Sequence, residues 1–229
     1  MDVKGFVSDF LSVVFPRNCV CCTRVLLKGE EFLCLFCSDS LTLSNFEQSD
    51  FLKQRFMGVP SVSYTYAFLK YIKGNATQKI LYRIKYGDGK DLAYLLGQRY
   101  GQKLRDTPIY QHADFFIPVP LHKSKKRKRG FNQSEYFASG LAASLNKPVF
   151  PELMQRVLNN STQTKKSRLE RWLNVDRIFV VTDAHAVSGK HVVVVDDVIT
   201  TGATLESCVE ALIKAGAAKI SIVSLAYAS

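Results

Sequence analysis

Histidine, acidic residues and long apolar runs are all scarce in this 229-residue chain. The four histidines, His112, His122, His185 and His191, are scattered. They assemble no Ser-His-Asp arrangement and no histidine-based hydrolase centre. No apolar run reaches the roughly 18 residues that a membrane-crossing helix needs, so no transmembrane segment is expected. Asp and Glu number 20 against 31 Lys and Arg, leaving a net charge of +11. Such a deficit of acids suits an anionic partner, which could be a nucleic acid or a pyrophosphate ligand. What is present is globular: 47% hydrophobic and 11% aromatic residues exclude a disordered chain. The length accommodates one sizeable α/β domain and a small appendage.

Cysteine is concentrated rather than rare, with five of six between residues 19 and 37. Cys19 and Cys22 are spaced C-x2-C, as are Cys34 and Cys37. Two such knuckles supply four thiolates for a tetrahedral zinc ion, and the metal would provide the folding energy of so short a unit. An odd local count argues against a disulfide framework, while redox chemistry would need a single pair. Cys21 competes as a ligand, and Cys208 reads as a small core residue. Before this unit, Phe6, Val7, Phe10, Leu11 and Val14 recur at helical spacing. Asp2 and Asp9 interrupt the pattern and no small-residue cleavage site follows, which argues against a signal peptide. It reads as an amphipathic helix packed on its own domain, with membrane-surface contact as the alternative. A cytoplasmic protein is expected.

Residues 192–204 carry the densest chemical signal. Val192 to Val195 form an apolar run typical of a strand buried on both faces, and Asp196 and Asp197 follow where it should reach the sheet's carboxyl edge. Thr200, Thr201, Gly202, Ala203 and Thr204 then lead into a helical pattern over residues 205–215. Free N–H groups and a positive dipole end suit a phosphate there. The carboxylates would repel that phosphate; they suit vicinal hydroxyls or a divalent metal. Phosphate beside diol describes a ribose 5-phosphate. The plain alternative is an ordinary strand–turn–helix.

Other segments fit around this motif. Residues 64–68 and 115–120 read as strands, and residues 75–86, 90–104 and 134–145 as helices, the last with Ser134 as N-cap. Further strands are expected at residues 178–181 and 220–226, while residues 38–60 carry no motif. His122 and the basic run Lys123, Lys125, Lys126, Arg127, Lys128 and Arg129 are read as a loop between a strand's end and a helix's start. That position favours an anion, with pyrophosphate, nucleic acid and a solvated charge patch all open.

The string at residues 192–204 resembles the 5-phosphoribosyl-1-pyrophosphate (PRPP) signature of type I phosphoribosyltransferases. Pro118-Val119-Pro120-Leu121-His122, Arg129-Gly130-Phe131-Asn132-Gln133, Gln163-Thr164, Glu170-Arg171 and Asn174-Val175 are similar to the competence protein ComF family, as is the four-cysteine unit before the PRPP motif. The resemblance implies an α/β type I phosphoribosyltransferase fold, a parallel sheet flanked by helices, with a small N-terminal zinc ribbon. Residues 1–58 would hold the amphipathic helix, ribbon and linker, and residues 59–229 the phosphoribosyltransferase-like domain. Asp196 and Asp197 would hold ribose hydroxyls, and Thr200 to Thr204 the 5-phosphate. His122, Lys128, Arg129, Gly130, Asn132 and Gln133 would form a pyrophosphate loop. Thr162, Gln163 and Arg171 would lie on a flap at residues 158–174. Structural zinc would sit on Cys19, Cys22, Cys34 and Cys37, and magnesium would accompany PRPP. Asp196, Asp197 and Arg129 are the catalytic candidates. The family also implies a place in DNA uptake, nucleotide metabolism being the other role in view. The competing expectation is a non-catalytic factor that binds single-stranded DNA through the basic run and ribbon, with Phe131 stacking on bases.

Overall fold

In the computed structural model, the described residues are 15–44, 50–59, 61–87, 89–157 and 178–228. The N-terminal amphipathic pattern and the flap, with Thr162, Gln163 and Arg171, lie outside them. Short helices α1 (Leu35–Asp39) and α2 (Asp50–Arg55) precede strand β1 (Val62–Tyr71), helices α3 (Ala76–Tyr86), α4 (Lys90–Leu104) and α5 (Pro108–His112), and strand β2 (Phe115–Pro118). Helices α6 (Lys123–Arg129) and α7 (Gln133–Leu145) follow, then β3 (Met154–Arg156), β4 (Phe179–Val181) and α8 (Ala184–Val187). The chain continues through β5 (His191–Ile199), α9 (Ala203–Lys214) and β6 (Lys219–Ala228).

The main sheet runs β1-β6-β5-β2, with every pair parallel, and β3-β4 forms a separate antiparallel pair. Parallel strands need both faces covered. Strand β5 shows it: Val193 and Val195 join a core with α3, α4 and α7 through Ile80, Leu96 and Phe137. Val192 and Val194 face the other core, with Leu205 and Val209 of α9 and Leu52 of α2. Helices α4 and α7 approach backbone to backbone at glycines: a Cβ on Gly97 would lie 2.2 Å from the Phe137 carbonyl oxygen. The cysteine unit packs on the first core, Leu26 and Leu33 lying with Ile80 and Leu81. The segment that follows it donates from Ser44 N to Phe68 O, at 2.9 Å.

Two local expectations need correction. Residues 123–129 form a helix, α6, not a loop. Lys and Arg favour helix, His122 Nδ1 accepts from Ser124 N, and Gly130 closes the last turn at φ 85°. The α7 N-cap is Asn132, whose side chain accepts from Ser134 N, not Ser134. Within residues 38–60, Leu52 and Phe56 are buried in the second core.

Candidate ribose-phosphate site

Strand β5 extends past its valines, pairing Asp196 with Ser224 and Val198 with Ala226 of β6. Both acids therefore stand inside the final half of the strand and not beyond its end. The loop after β2 is drawn toward them. Asn132 Nδ2 donates to Val119 O at 3.0 Å, and Val119 N to Val195 O at 2.8 Å. This seats the first turn of α7 against the acids. Gln133 Nε2 donates to Asp197 Oδ2 at 2.8 Å, and Ser134 Oγ to Asp196 Oδ1 at 3.0 Å. From α3, Lys85 Nζ reaches Asp197 Oδ2 at 3.1 Å. Withdrawal from water and the charge of Asp197 push the Asp196 carboxyl up to about 7, against the Asp197 N–H, Ser134 and Lys85, which favour ionisation.

Beyond β5, Gly202 is the α9 N-cap at φ 82°, a left-handed conformation natural to glycine. It makes no side-chain capping bond, so the first-turn N–H groups of α9 have no helical partner. A small recess is bounded here by Asp196, Thr200, Thr201, Gly202 and Thr204, with Ala203 beginning the helix beside it. Behind the loop, Arg55 Nη2 donates to Thr200 O at 2.6 Å, and a Cβ on Gly202 would stand 3.3 Å from Arg55 Cγ.

The expected pyrophosphate-loop residues separate into two groups. Asn132 and Gln133 are buried, the first capping α7 and the second bonded to Asp197. Lys128 is exposed on α6, Arg129 half-exposed and Gly130 exposed at its C-cap, and none bonds an acid among the described residues. His122 is spent on Ser124. Phe131 is only 8% exposed and meets Tyr136 edge-on at 5.5 Å, so it is not available to stack on a base. Arg55, Lys85 and Ser134 were not singled out as site residues from sequence. Lys85 stands just before the Gly87–Gly89 break and Ser134 directly after the Arg-Gly-Phe-Asn-Gln string, the only local signals for either.

At the other end of α3 the sulfurs of Cys19, Cys22, Cys34 and Cys37 all lie within 4.8 Å of one another. Tetrahedral zinc, with bonds near 2.3 Å, sets its thiolates roughly 3.8 Å apart, so the cluster fits such a metal with small adjustment. The Cys22 and Cys34 sulfurs are already 3.6 Å apart. Burial opposes the Cys19 thiolate, but the backbone N–H groups of Cys34, Cys22 and Cys21 outweigh it and bring it down to about 6. Cys21 stands outside the cluster: its Sγ donates to Ala76 O at 3.7 Å, and burial pushes its thiol up to about 11. Cys208 is fully buried in the second core, as its sequence context implied. Among the described residues, no helix is long and apolar enough to cross a membrane.

Residues 132–229 match the phosphoribosyl transferase domain family. The chain is 37% identical over 113 residues to the competence protein ComFC of Bacillus subtilis, covering 49% of this chain and 44% of that protein. It is 34% identical over 113 residues to competence protein F of Haemophilus influenzae, covering 49% of each. To the DNA utilization protein YhgH of Salmonella typhimurium it is 34% identical over 131 residues, covering 57% of this chain and 56% of that one. The chain thus spans about half the length of the curated relatives it matches. Over about half its length it is similar to the ComF and YhgH proteins, its C-terminal part matches the phosphoribosyl transferase domain family, and a four-cysteine unit lies on the N-terminal side.

Proposed function

We propose that this protein binds PRPP or a related ribose phosphate across the carboxyl edge of β5. The observation that carries the reading is the placement of two hydrogen-bonded carboxylates beside a glycine-capped helix start with unclaimed N–H groups. Asp196 and Asp197 would accept hydrogen bonds from the ribose hydroxyls. The Thr200–Thr204 loop and the α9 N-terminus would hold the 5-phosphate. Magnesium arriving with the ligand would supply charge neutralisation for its phosphate oxygens. Lys128 and Arg129 are close along the chain to the α7 start and supply cations for the pyrophosphate. The reaction this arrangement suits is displacement of pyrophosphate from the anomeric carbon, helped by positioning and charge stabilisation. The names of its relatives, competence protein and DNA utilization protein, support a role connected with DNA, and six free cysteines fit the reducing cytoplasm.

Ligand-induced stabilisation tests the reading, because anything that binds only the folded state raises the melting temperature. PRPP with magnesium should raise it for wild type and leave Asp196→Asn/Asp197→Asn unmoved. A wild type that does not respond sinks the proposal.

One observation favours a second reading, binding of single-stranded DNA. A cleft of about 780 Å³ lies between the cysteine unit and α3, lined by Arg17, Phe32, Arg83, Tyr82 and Tyr86 among others. Tyr82 and Tyr86 are 67% and 71% exposed, with ring centroids 4.9 Å apart. Exposed aromatics among cations are what a single strand stacks on. In place of Phe131 they would carry the stacking, with α6 as a flanking basic surface. Salt-sensitive DNA binding should then be lost in Tyr82→Ala/Tyr86→Ala and kept in Asp196→Asn/Asp197→Asn; the reverse pattern refutes this second reading.

A further inference from the structure

Two adjacent carboxylates at an anion-binding edge pose an electrostatic problem. Ionised carboxylates accept best from a diol, yet burial and the charge of Asp197 raise the Asp196 carboxyl, and both acids repel a phosphorylated ligand. Strand β5 supplies no cation, since its sequence is His-Val-Val-Val-Val-Asp-Asp-Val-Ile and His191 sits at the far end. The neighbouring α7 start offers only the neutral donors Gln133 and Ser134. Among the described residues, the charge that meets the pair comes from α3, where Lys85 Nζ stands 3.1 Å from Asp197 Oδ2. This contact is sheltered, with the lysine side chain 29% and the aspartate side chain 11% exposed. Shelter reduces screening by salt, which makes such a pair worth more than one at the surface.

Lys85 is also held in place. Helix α3 buries Ile80, Leu81 and Ile84 along one face, which fixes its rotation. Its first turn is capped by Asn75 Oδ1 accepting from Gln78 N, and Lys79 Nζ donates to Cys21 O at 2.5 Å. Cys21 Sγ in turn donates to Ala76 O. The helix is therefore anchored at its start on the cysteine unit, and at its last turn it presents a lysine to the ribose acids.

We propose that Lys85 is a positioning residue of the ribose-phosphate site: it is the counter-ion that orients Asp197 and offsets the negative charge of the Asp196–Asp197 pair before ligand arrives. This rests on the PRPP reading of the site. The groups facing Asp196 agree with it: Asp197 beside it opposes ionisation, Lys85 favours it, and buried Cys208 of α9 lies behind as a neutral thiol. Arg55 of α2 is engaged with Thr200 O on the loop side.

The test compares Lys85→Met and Lys85→Arg with wild type in two measurements. One is PRPP affinity in the presence of magnesium from about pH 6 to about pH 9; the other is the carboxyl titration of the ligand-free protein by carbon-13 NMR. Lys85→Met should bind roughly ten-fold more weakly near neutral pH, recover toward wild type at the alkaline end, and move the acid pair's titration upward. Lys85→Arg should stay close to wild type in both. An unchanged carboxyl titration in Lys85→Met, or a loss of affinity equal at every pH, overturns the proposal. Failure of wild type itself to bind PRPP would instead strike the function proposed above. The ligand-free titration still reads the effect of Lys85 in that case, so the two failures are distinguishable.

Discussion

Asp196 is the residue at which function and stability conflict. Folding takes its carboxyl out of water and sets it against Asp197, raising it to about 7. A group raised in the folded state contributes its stability while protonated, below its unfolded value. That contribution is lost as pH rises through the folded value. The window is therefore from the ordinary carboxylate range up to about pH 7. Asp196→Asn keeps an acceptor for Ser134 and removes the buried charge. Above neutral pH it should be more stable than wild type by about 1–2 kcal/mol, an advantage that vanishes in mild acid. Chemical denaturation at two pH values checks this, and equal stability of the two proteins at alkaline pH contradicts it. His191 behaves as a structural residue: it is buried, its Nε2 lies 2.8 Å from Ser221 Oγ, and burial lowers its pKa.

At the scale of elements, the packing of α4 on α7 fixes where the site's donors stand. Gln133 and Ser134 begin α7, and α7 can lie close to α4 only because Gly97 and Gly140 lack side chains. Gly97→Ala would place a methyl 2.2 Å from the Phe137 carbonyl oxygen. It should destabilise by about 2–4 kcal/mol and loosen ligand binding as well, because backbone cannot yield as a side chain does. Thermal melting and PRPP binding of the variant check both effects.

The same elements show what was legible in the sequence. Strand β5 and α9 were readable because their signal is local: a run of valines, two acids, a glycine and a 3.6-residue apolar period. The four-cysteine cluster was readable because each C-x2-C pair is a local signal, and the structure brings the two pairs together. Helix α6 was misread because charge drew attention to ligand binding, while the helix-forming tendency of Lys and Arg decided the backbone. The contacts of Ser134 with Asp196 and of Arg55 with Thr200 join residues 62 and 145 positions apart. Neither has a local pattern; both follow from the sheet order β1-β6-β5-β2 and the helices it positions.

For the whole molecule, the cysteine unit and the sheet share a core. Leu26 and Leu33 lie in one cluster with Ile80, Leu81 and Val193. A zinc ion on the four thiolates would stabilise that cluster along with its own knuckles. One zinc per chain should be found by elemental analysis, and Cys34→Ser should lose it. Chelation should speed amide exchange in α3 while sparing α9 on the opposite face, since α9 belongs to the other core. Uniform loosening of both helices would show instead that the two cores melt together.

The central claim is that the acid pair and the Gly202 loop form one ribose-phosphate site. Calorimetric titration of PRPP with magnesium into the full chain tests it most directly. Wild type should bind with one site per chain, and Asp196→Asn/Asp197→Asn should show no binding heat while melting as a folded protein. A wild type that gives no heat, or a double variant that binds as well as wild type, would contradict the account.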